Sequence, residues 1–395
     1  MAHSTATRGL LREQYEAIFG PSWPVMGAAL MVGTLNVFLF AFDRPWTASD
    51  GARNWGEWLF QLLGIINRPD LIPPWLYSGS ILNLGVLAGA LASALLSRSF
   101  AVRVAPAGEL LKGGAGGLLM GIGAVLSFGC NVGGFFSALS ALSMSGLAMM
   151  AGLAIGAYLG LKYLFWELER WPRLSAGKSY SFCEAGPQGL GWQPVLGAIA
   201  LLMLILLPFV YNRLGCTPQA GFILFGAAFG LIFQRSRFCL ARAFREPFMT
   251  GEAEHTRAAA LALAVSMVGF SILKFTDLRD PRDWVFPGFW LGALLGGCLF
   301  GFGMVLAGGC GAGSLWRAGE GHVKLWIAVV CFAVGVSLMR LTLVQHGLLQ
   351  KLGTALFMPS LLGWGGAMSV VVALMAAWYL LATWNERSGK FSMTS

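Results

Sequence analysis

One fifteen-residue segment occurs twice in this chain, 180 positions apart, and both copies end in glycine and cysteine. The copies are Gly116–Cys130, GGLLMGIGAVLSFGC, and Gly296–Cys310, GGCLFGFGMVLAGGC, which are identical at nine of fifteen positions. Each copy lies in an apolar stretch, and each cysteine is followed three residues later by another glycine. The pattern predicts an internal duplication in which one membrane helix of each half breaks at a thiol.

Composition places this duplication in a membrane. Hydrophobic residues make up 56% of the chain and charged residues 11%, with a mean hydropathy of +0.68, which excludes an ordinary soluble domain. The predicted fold class is an all-α polytopic membrane protein of about ten transmembrane or partial helices, with two glycine-rich, pseudo-symmetric, inverted repeats that contain broken helices. The predicted spans are Pro21–Phe42, Leu76–Ser97, Gly113–Ser137, Ser145–Leu164, Pro194–Tyr211, Gly221–Gln234, Ala258–Phe275, Gly288–Ala307, Leu325–Val344 and Leu362–Trp384.

The duplication extends beyond the repeated segment. Gly226 and Gly230 precede an arginine-rich connection, as Gly85 and Gly89 precede the shorter connection that contains Arg98. We therefore predict one membrane domain over residues 1–395. Its predicted parts are an amino-terminal tail, extra span and loop (1–75), a first repeat (76–166), a second repeat (220–344) and a last span (362–385).

The net charge of +9 indicates orientation rather than a nucleic-acid partner, because the basic residues lie in membrane-flanking connections. Three connections contain clusters of basic residues: Arg98, Arg103 and Lys112; Arg170, Arg173 and Lys178; and Arg235, Arg237, Arg242 and Arg245. The positive-inside rule places all three in the cytoplasm, and both termini with them. Residues 1–20 lack the apolar core and cleavage site of a signal peptide, so we predict a retained cytoplasmic tail.

The sequence around each repeated cysteine disfavours a continuous helix. Ser127–Gly134 and Ala307–Ser314 are rich in residues that tolerate a positive φ angle. Such backbone persists at membrane depth only where it lines a cavity or is buried in protein, and transporters place it between repeats, where helix N-termini favour anions. Alternatively, the glycines let helices pack closely, and the cysteines are small residues in that seam.

The other five cysteines fall into two groups. Cys183, Cys216, Cys298 and Cys331 are interpreted as structural. Cys239 lies among arginines in QRSRFCLARAFREPF, and nearby guanidinium groups such as that of Arg237 favour a thiolate or let the thiol lie beside an anion. A cytoplasmic arginine cluster is also what the positive-inside rule alone produces.

Arg317 and Glu320 follow the second copy of the repeated segment. Because ionisable groups near a membrane site are functional candidates, both are predicted to contact the site residues rather than the substrate itself. A solvated loop in which these charges pair with each other is the alternative.

The motifs RSRFC, AGGCGAGSLWRAGEGH and LMGIGAVLSFGCNVGG together resemble those of the YeeE/YedE family of bacterial inner-membrane proteins, in particular its YedE-like branch. The similarity extends over about residues 76–344. It implies a multi-pass inner-membrane transporter of thiosulfate or a related sulfur or selenium species, which passes a narrow pore by S–H hydrogen bonds. The residues implied are Cys130, Cys239 and Cys310, with Gly129, Asn131, Gly309 and Gly311 as flanking support.

A thiol-lined route suits a reduced sulfur anion, because a neutral S–H is a weak donor and weak binding at successive sites permits passage. We expect arginines at the mouths, where they concentrate anions. The predicted partners are a small sulfur-containing anion, membrane lipid and, from the resemblance, a cytoplasmic sulfur-carrier protein. No nucleotide or metal-binding motif is present, so we expect neither a cofactor nor a metal.

Two alternatives to transport remain at this stage. In the first, the chain is a membrane thiol enzyme in which Cys239 accepts sulfane sulfur as a persulfide and delivers it to a cytoplasmic carrier. The sequence offers no evident base beside any of the three cysteines, which favours a transporter without enzymatic activity. In the second alternative, the chain is a structural membrane subunit whose cysteines are incidental.

Overall fold

Long apolar helices form the body of the protein in a computed structural model that describes residues 13–172, 176–183 and 191–393. Within these residues, ten segments are long and apolar enough to cross a membrane, which confirms the predicted all-α polytopic fold. Residues 1–12 of the predicted tail, and Arg173 of one predicted cytoplasmic connection, lie outside the described residues.

The α-helices are α1 (Val25–Phe42), α2 (Ala48–Leu62), α3 (Ser78–Leu96), α4 (Ala107–Leu126), α5 (Met144–Arg170), α6 (Trp192–Arg213), α7 (Thr217–Ser236), α8 (Leu240–Met249), α9 (Glu254–Phe275), α10 (Leu291–Ala307), α11 (Gly311–Gly319), α12 (Val323–Gln345) and α13 (Met358–Ser388). A π-helix, Asn131–Ser137, continues into one α-turn, Ala138–Ser140, and a 3₁₀ turn covers Leu349–Lys351. Strands β1 (Val102–Val104) and β2 (Tyr180–Phe182) pair antiparallel, with Val102 opposite Phe182.

Helices break where the sequence predicts a break at the repeated cysteines. The predicted span Gly113–Ser137 divides into α4 and the π-helix, and Phe128 between them has a φ of 58°. Gly308 has a φ of 81° at the end of α10, before α11. A left-handed residue ends an α-helix because the following N–H turns away from the helix axis. The short helices α2 and α8 were not predicted.

The order of long and short helices repeats along the chain. In the first series, α1 is long, α2 is short, α3 and α4 are long, the π-helix is short and α5 is long. Helices α7 to α12 repeat this order of lengths. Helices α6 and α13 follow these two series. In this order α1 and α2 take the same places as α7 and α8. The predicted repeat limits, 76–166 and 220–344, stay a prediction.

The two copies of the repeated segment pack against each other in α4 and α10. A Cβ on Gly116 would lie 2.5 Å from the Gly303 carbonyl oxygen, and one on Gly123 would lie 2.5 Å from that of Gly296. The helices are antiparallel, because the earlier glycine of each copy faces the later glycine of the other. Because glycine has no side chain, the two helix backbones approach closely, and the resulting van der Waals packing stabilises the helix pair in lipid.

Candidate functional site

Four short helices begin at buried residues that have a small polar or thiol side chain. Thr47 precedes α2, Cys130 precedes the π-helix, Cys239 precedes α8 and Cys310 precedes α11. A helix N-terminus presents unpaired N–H groups and a partial positive charge. Several such ends directed at one point therefore favour an anion.

The four N-terminal residues form a series of contacts. Thr47 Oγ1 lies 3.4 Å from Cys130 Sγ. Cys130 packs against the residue after Cys310, since a Cβ on Gly311 would lie 3.6 Å from Cys130 Cβ. The side chains of Cys310 and Cys239 interact directly. The structure thus brings the three predicted cysteines together and adds Thr47 to them; this group is termed the constriction.

Hydrogen bonds to the short helices fix the positions of the thiols. Cys310 Sγ accepts from the Gly313 backbone N–H at 3.3 Å, which holds the sulfur over the first turn of α11. The Cys130 backbone N–H donates to Ser49 Oγ at 3.1 Å, which ties the start of the π-helix to α2. The cysteines therefore mark chain breaks that other half-helices hold in place.

Aromatic side chains close the constriction on one side. A cavity of about 20 Å³, room for one water molecule, adjoins Cys239 and Cys310. Stacked and tilted rings at centroid distances of 5.3–6.1 Å line it: Trp46, Phe229, Phe233 and Phe238. A wall of this kind excludes water and strengthens electrostatic interactions at the site.

A larger, basic cavity opens beside Cys239. It has a volume of about 250 Å³ and is termed the four-arginine cavity, after Arg237, Arg242, Arg245 and Arg317 in its lining. A second cavity of about 350 Å³ shares Arg245 and Arg317 with it and reaches Arg103. Together these arginines create a positive potential that attracts anions to the mouth.

Trp316 separates the four-arginine cavity from the small aromatic cavity, because it lines both. The guanidinium carbons of Arg237 and Arg317 lie 5.5 and 5.7 Å from its ring centroid. Cation–π attraction over these distances holds the arginines at the mouth.

A cavity of about 160 Å³ on the other side of the constriction is termed the Arg44 cavity, and Thr47 is part of its wall. Its charged lining consists of Arg44, Asp50, Arg53 and Arg340. Asp50 accepts from Arg44 at 2.7 Å and from Arg53 at 3.0 Å. Burial raises the pKa of the Asp50 carboxyl, but the two arginines outweigh burial and bring the pKa below its ordinary value.

The two basic cavities open at opposite ends of the α4–α10 pair. Trp284 and Phe286, from the connection before α10, line the Arg44 cavity. Arg103 and Val104, from the connection before α4, line the cavity that adjoins the four-arginine cavity. Since α4 and α10 are antiparallel, their first residues lie at opposite ends. The constriction therefore lies between two separate mouths.

Asn131 is fully buried beside Cys310. Its side chain interacts with the Cys310 thiol, and neither its amide nitrogen nor its carbonyl oxygen makes a hydrogen bond of ordinary geometry within the part of the chain that the structure describes. Within the same residues, Trp316 Nε1 and Arg317 Nε are also buried donors without an acceptor. A buried unpaired polar group costs about 1–3 kcal/mol, so the Trp316 and Arg317 donors indicate a place for a ligand that accepts hydrogen bonds.

The predicted supporting residues have different positions. Gly129 permits the turn into the π-helix, since a Cβ there would lie 2.5 Å from Gly134 N, whereas one on Gly309 would meet no atom closer than 3.4 Å. Arg317 lines the cavity and donates to the Gly308 carbonyl at 2.9 Å.

Glu320 lies behind Arg237 and does not line the four-arginine cavity. It is fully buried and accepts from Arg237 at 2.6 Å. Burial raises the pKa of this carboxyl, but hydrogen bonds from His322 and Arg237 lower it to about 2. Glu320 therefore anchors Arg237 as a carboxylate.

Both interpretations of the repeated segment describe part of the structure. The glycines of α4 and α10 form the packing seam, while Cys130 and Cys310 lie beyond it at the breaks. Cys298 and Cys331 contact glycines of neighbouring helices, as packing residues do.

Sequence reasoning missed Thr47 and the arginines of the Arg44 cavity. A signal was available, because Arg44-Pro-Trp-Thr-Ala parallels Arg237-Phe-Cys-Leu-Ala: each has an arginine, an aromatic residue, a capping residue and the start of a short helix. Replacement of cysteine by threonine conceals the similarity. Within the described residues, no group of three or more His, Cys, Asp or Glu side chains is arranged to hold a metal ion.

Comparison with known proteins gives consistent matches. The model of a family described as "Sulphur transport" matches residues 3–159 and 235–394. The probable transporter YedE of Salmonella typhimurium is 27% identical over 384 residues, which are 92% of this chain and 93% of that protein. The thiosulfate transporter TsuA of Escherichia coli is 40% identical over 115 residues, which are 29% of this chain and 32% of that protein.

Proposed function

Because this chain belongs to the sulphur transport family, we propose that it carries thiosulfate or a closely related sulfur or selenium anion across the bacterial inner membrane. One observation carries the proposal: contacts from Thr47 through Cys130 and Cys310 to Cys239 join two arginine-lined cavities at opposite ends of the helix bundle. The names of the relatives, a probable transporter and a thiosulfate transporter, support the substrate class.

The arrangement suits capture followed by weak binding. Arginines at each mouth raise the local concentration of anions, and the low-dielectric surroundings of the constriction strengthen every contact there. S–H groups are weak donors, so an anion meets successive weak sites and is not held at any of them. Helix N-termini and the Asn131 amide supply the remaining favourable interactions.

The constriction has to widen for each passage, since the cavity beside the thiols holds about one water molecule. The short helices are the elements whose movement widens it, because each begins at a constriction residue and is only 7–15 residues long. Transport is therefore a gated process and not diffusion through an open channel.

The positive-inside rule orients this route. The four-arginine cavity contains residues from the most basic connections and faces the cytoplasm, as do both termini. The Arg44 cavity then receives the anion from the other side. A cytoplasmic sulfur-carrier protein that accepts the anion after release fits this direction.

Uptake of labelled thiosulfate into proteoliposomes tests the proposal. Cys130→Ala, Cys239→Ala and Cys310→Ala are each expected to lower the initial rate at least about tenfold, because each removes a contact to a charged substrate. Cys298→Ala and Cys331→Ala are matched controls, since both thiols are half-buried in helix contacts outside the constriction, and both are expected to transport normally. Normal uptake by all three constriction variants would reject the proposal.

Intact-mass measurement after exposure to thiosulfate separates transport from persulfide chemistry. A transporter passes the anion unchanged, so the protein mass is expected to stay constant. A stable gain of one sulfur atom, lost in Cys239→Ala, would instead indicate an enzyme that uses Cys239 as its nucleophile.

A further inference from the structure

We propose that Thr47 is the fourth substrate-contacting residue of the constriction and that its hydroxyl binds an oxygen atom of the anion. The inference rests on the proposed transport function and adds a residue that neither the repeated segment nor the arginine-rich motif includes. The substrate class that it implies is a small tetrahedral oxyanion in which one vertex is sulfur or selenium. Three sets of observations lead to Thr47.

First, Thr47 and Cys239 occupy equivalent places with almost identical backbone angles. Thr47 precedes α2 with φ −143° and ψ 121°, and Cys239 precedes α8 with φ −150° and ψ 121°. The same correspondence relates Cys130 (φ −70°, ψ 179°) to Cys310 (φ −80°, ψ −178°). Thr47 therefore has the same position relative to Cys130 as Cys239 has relative to Cys310.

Second, a glycine at the equivalent position lies against each of Thr47 and Cys239. Gly133, three residues after Cys130, approaches Thr47 so closely that a Cβ would lie 2.3 Å from its Oγ1. Gly313, three residues after Cys310, approaches Cys239, and a Cβ there would lie 3.2 Å from its Sγ. Glycine at each of these positions leaves room for the neighbouring hydroxyl or thiol, which a Cβ would displace.

Third, the surroundings of Thr47 indicate a ligand. The side chain lines the Arg44 cavity, so it is the first constriction residue that an anion meets from that mouth. Asn131, the residue after Cys130, is fully buried, and its side chain interacts with the Cys310 thiol, a weak partner. An anion between Thr47, Cys130 and Asn131 would give that amide a stronger acceptor than the thiol.

The hydroxyl has no backbone-capping role that would explain a threonine at this position. The Thr47 side chain makes no hydrogen bond to a backbone N–H in the first turn of α2, although threonine commonly caps helices in this way. Its Oγ1 lies 2.9 Å from Ser49 Oγ, and Ser49 in turn accepts from the Cys130 backbone. The Ser49 hydroxyl therefore orients the Thr47 side chain, and either oxygen of this pair can be the donor.

Hydroxyl and thiol differ in what they bind. An O–H group makes short hydrogen bonds to oxygen, whereas an S–H group is a weak donor on a large, polarisable atom. The Thr47–Cys130 pair therefore suits an oxygen atom, and the Cys239–Cys310 pair suits the sulfur or selenium vertex. An anion with both kinds of atom matches the two ends of the constriction.

The test measures thiosulfate uptake as a function of concentration for Thr47→Val, Thr47→Ser and Thr47→Cys. Thr47→Val keeps the side-chain shape and removes the donor, and we expect its KM to rise about tenfold. Thr47→Ser keeps the hydroxyl and is expected to stay within about twofold of the wild type. Thr47→Cys restores a weaker donor and is expected to lie between the two, which keeps the test valid if Thr47→Val does not fold.

Controls separate this inference from a structural role and from the transport proposal itself. Thr342→Val is the matched control, since the Thr342 hydroxyl donates to the Leu338 carbonyl of its own helix. Unchanged KM in Thr47→Val, or a lower maximal rate with unchanged KM, would overturn the role of Thr47. If the three cysteine variants also transport normally, the proposed function fails; if they are impaired while Thr47→Val is normal, only the present inference fails.

Discussion

The two halves of the constriction have the same backbone and different chemistry. One half places a hydroxyl, Thr47, against Cys130, and the other places a thiol, Cys239, against Cys310. The residues that precede their short helices have matching φ and ψ angles, so helix geometry does not account for the difference. The duplicated scaffold fixes where the constriction side chains lie, while single residues determine their chemistry; on the proposed function, that chemistry sets what they bind.

The largest expected effect concerns the packing seam that both halves share. Gly116 and Gly296 occupy equivalent positions in the two copies. Gly116→Leu and Gly296→Leu should destabilise the protein equally, because the Cβ of either leucine would lie 2.5–2.6 Å from a carbonyl oxygen of the facing helix. We expect each to cost about 3 kcal/mol or more and to prevent accumulation of monodisperse protein. Size-exclusion chromatography measures this, with Gly27→Leu as control, since a Cβ there meets nothing within 4 Å. A harmless substitution in one copy would show that the copies pack differently.

The next effect separates the halves. Gly133→Ala would place a Cβ 2.3 Å from Thr47 Oγ1 and 2.5 Å from Thr47 Cβ, so α2 and the π-helix must move apart. We expect a cost of about 1–3 kcal/mol and uptake of labelled thiosulfate below a tenth of the wild-type rate. Gly313→Ala meets the Cys239 and Cys310 sulfurs at 3.2 and 3.4 Å, which small rotations relieve, and should fold normally with uptake lowered a few-fold. Equal defects in both variants would contradict this asymmetry.

Cys239→Thr makes the second half chemically like the first. The hydroxyl replaces the thiol that faces the four-arginine cavity, so we expect slower thiosulfate uptake by about threefold to tenfold, less than in Cys239→Ala. Initial uptake rates of the two variants, with matched amounts of protein, measure the difference. Identical rates for Cys239→Thr and Cys239→Ala would mean that any change of size at this place blocks transport, and that the donor itself is unimportant.

A smaller effect concerns the two left-handed residues that end α4 and α10. Phe128 has a φ of 58°, and Gly308, at the corresponding break, has a φ of 81°. Gly308→Ala is expected to cost about 1 kcal/mol, the strain of a side chain in this region. Phe128→Gly removes such strain but also removes the ring that packs against Gly288. These effects oppose each other, so the thermal midpoint of Phe128→Gly should differ less from the wild-type value than that of Gly308→Ala does. Thermal unfolding in detergent distinguishes the two, and a larger loss in Phe128→Gly would show that the ring matters more than the backbone.

The smallest effect concerns pH. The pKa of Glu320 is lowered to about 2, because hydrogen bonds from His322 and Arg237 outweigh burial. A lowered pKa contributes stability that is present above the ordinary value of 4.5 and is lost as the pH falls towards 2. Between pH 5 and 3, measured in steps of about one unit, the thermal midpoint of the wild type should therefore fall more steeply than that of Glu320→Gln. Parallel slopes would show that Glu320 does not anchor Arg237 as a carboxylate.

Much of the site was predictable because its thiols lie at chain breaks that composition reveals. Glycine-rich runs around Cys130 and Cys310 indicated where the helices end, and the structure places breaks there. Thr47 was not predictable in the same way. Its resemblance to Cys239 consists of a place in the order of helices and a preceding aromatic residue, and it becomes evident only when α2 is seen to be short.

The sequence by itself determined the membrane class, the helical spans and the two cysteine-bearing breaks, because apolar length and helix propensity are local properties. Only the tertiary structure decided that α4 and α10 pack antiparallel, that Thr47 meets Cys130, and that two arginine-lined cavities lie on either side. Those contacts join residues far apart in the chain, and their formation depends on how whole helices pack, which no local pattern records.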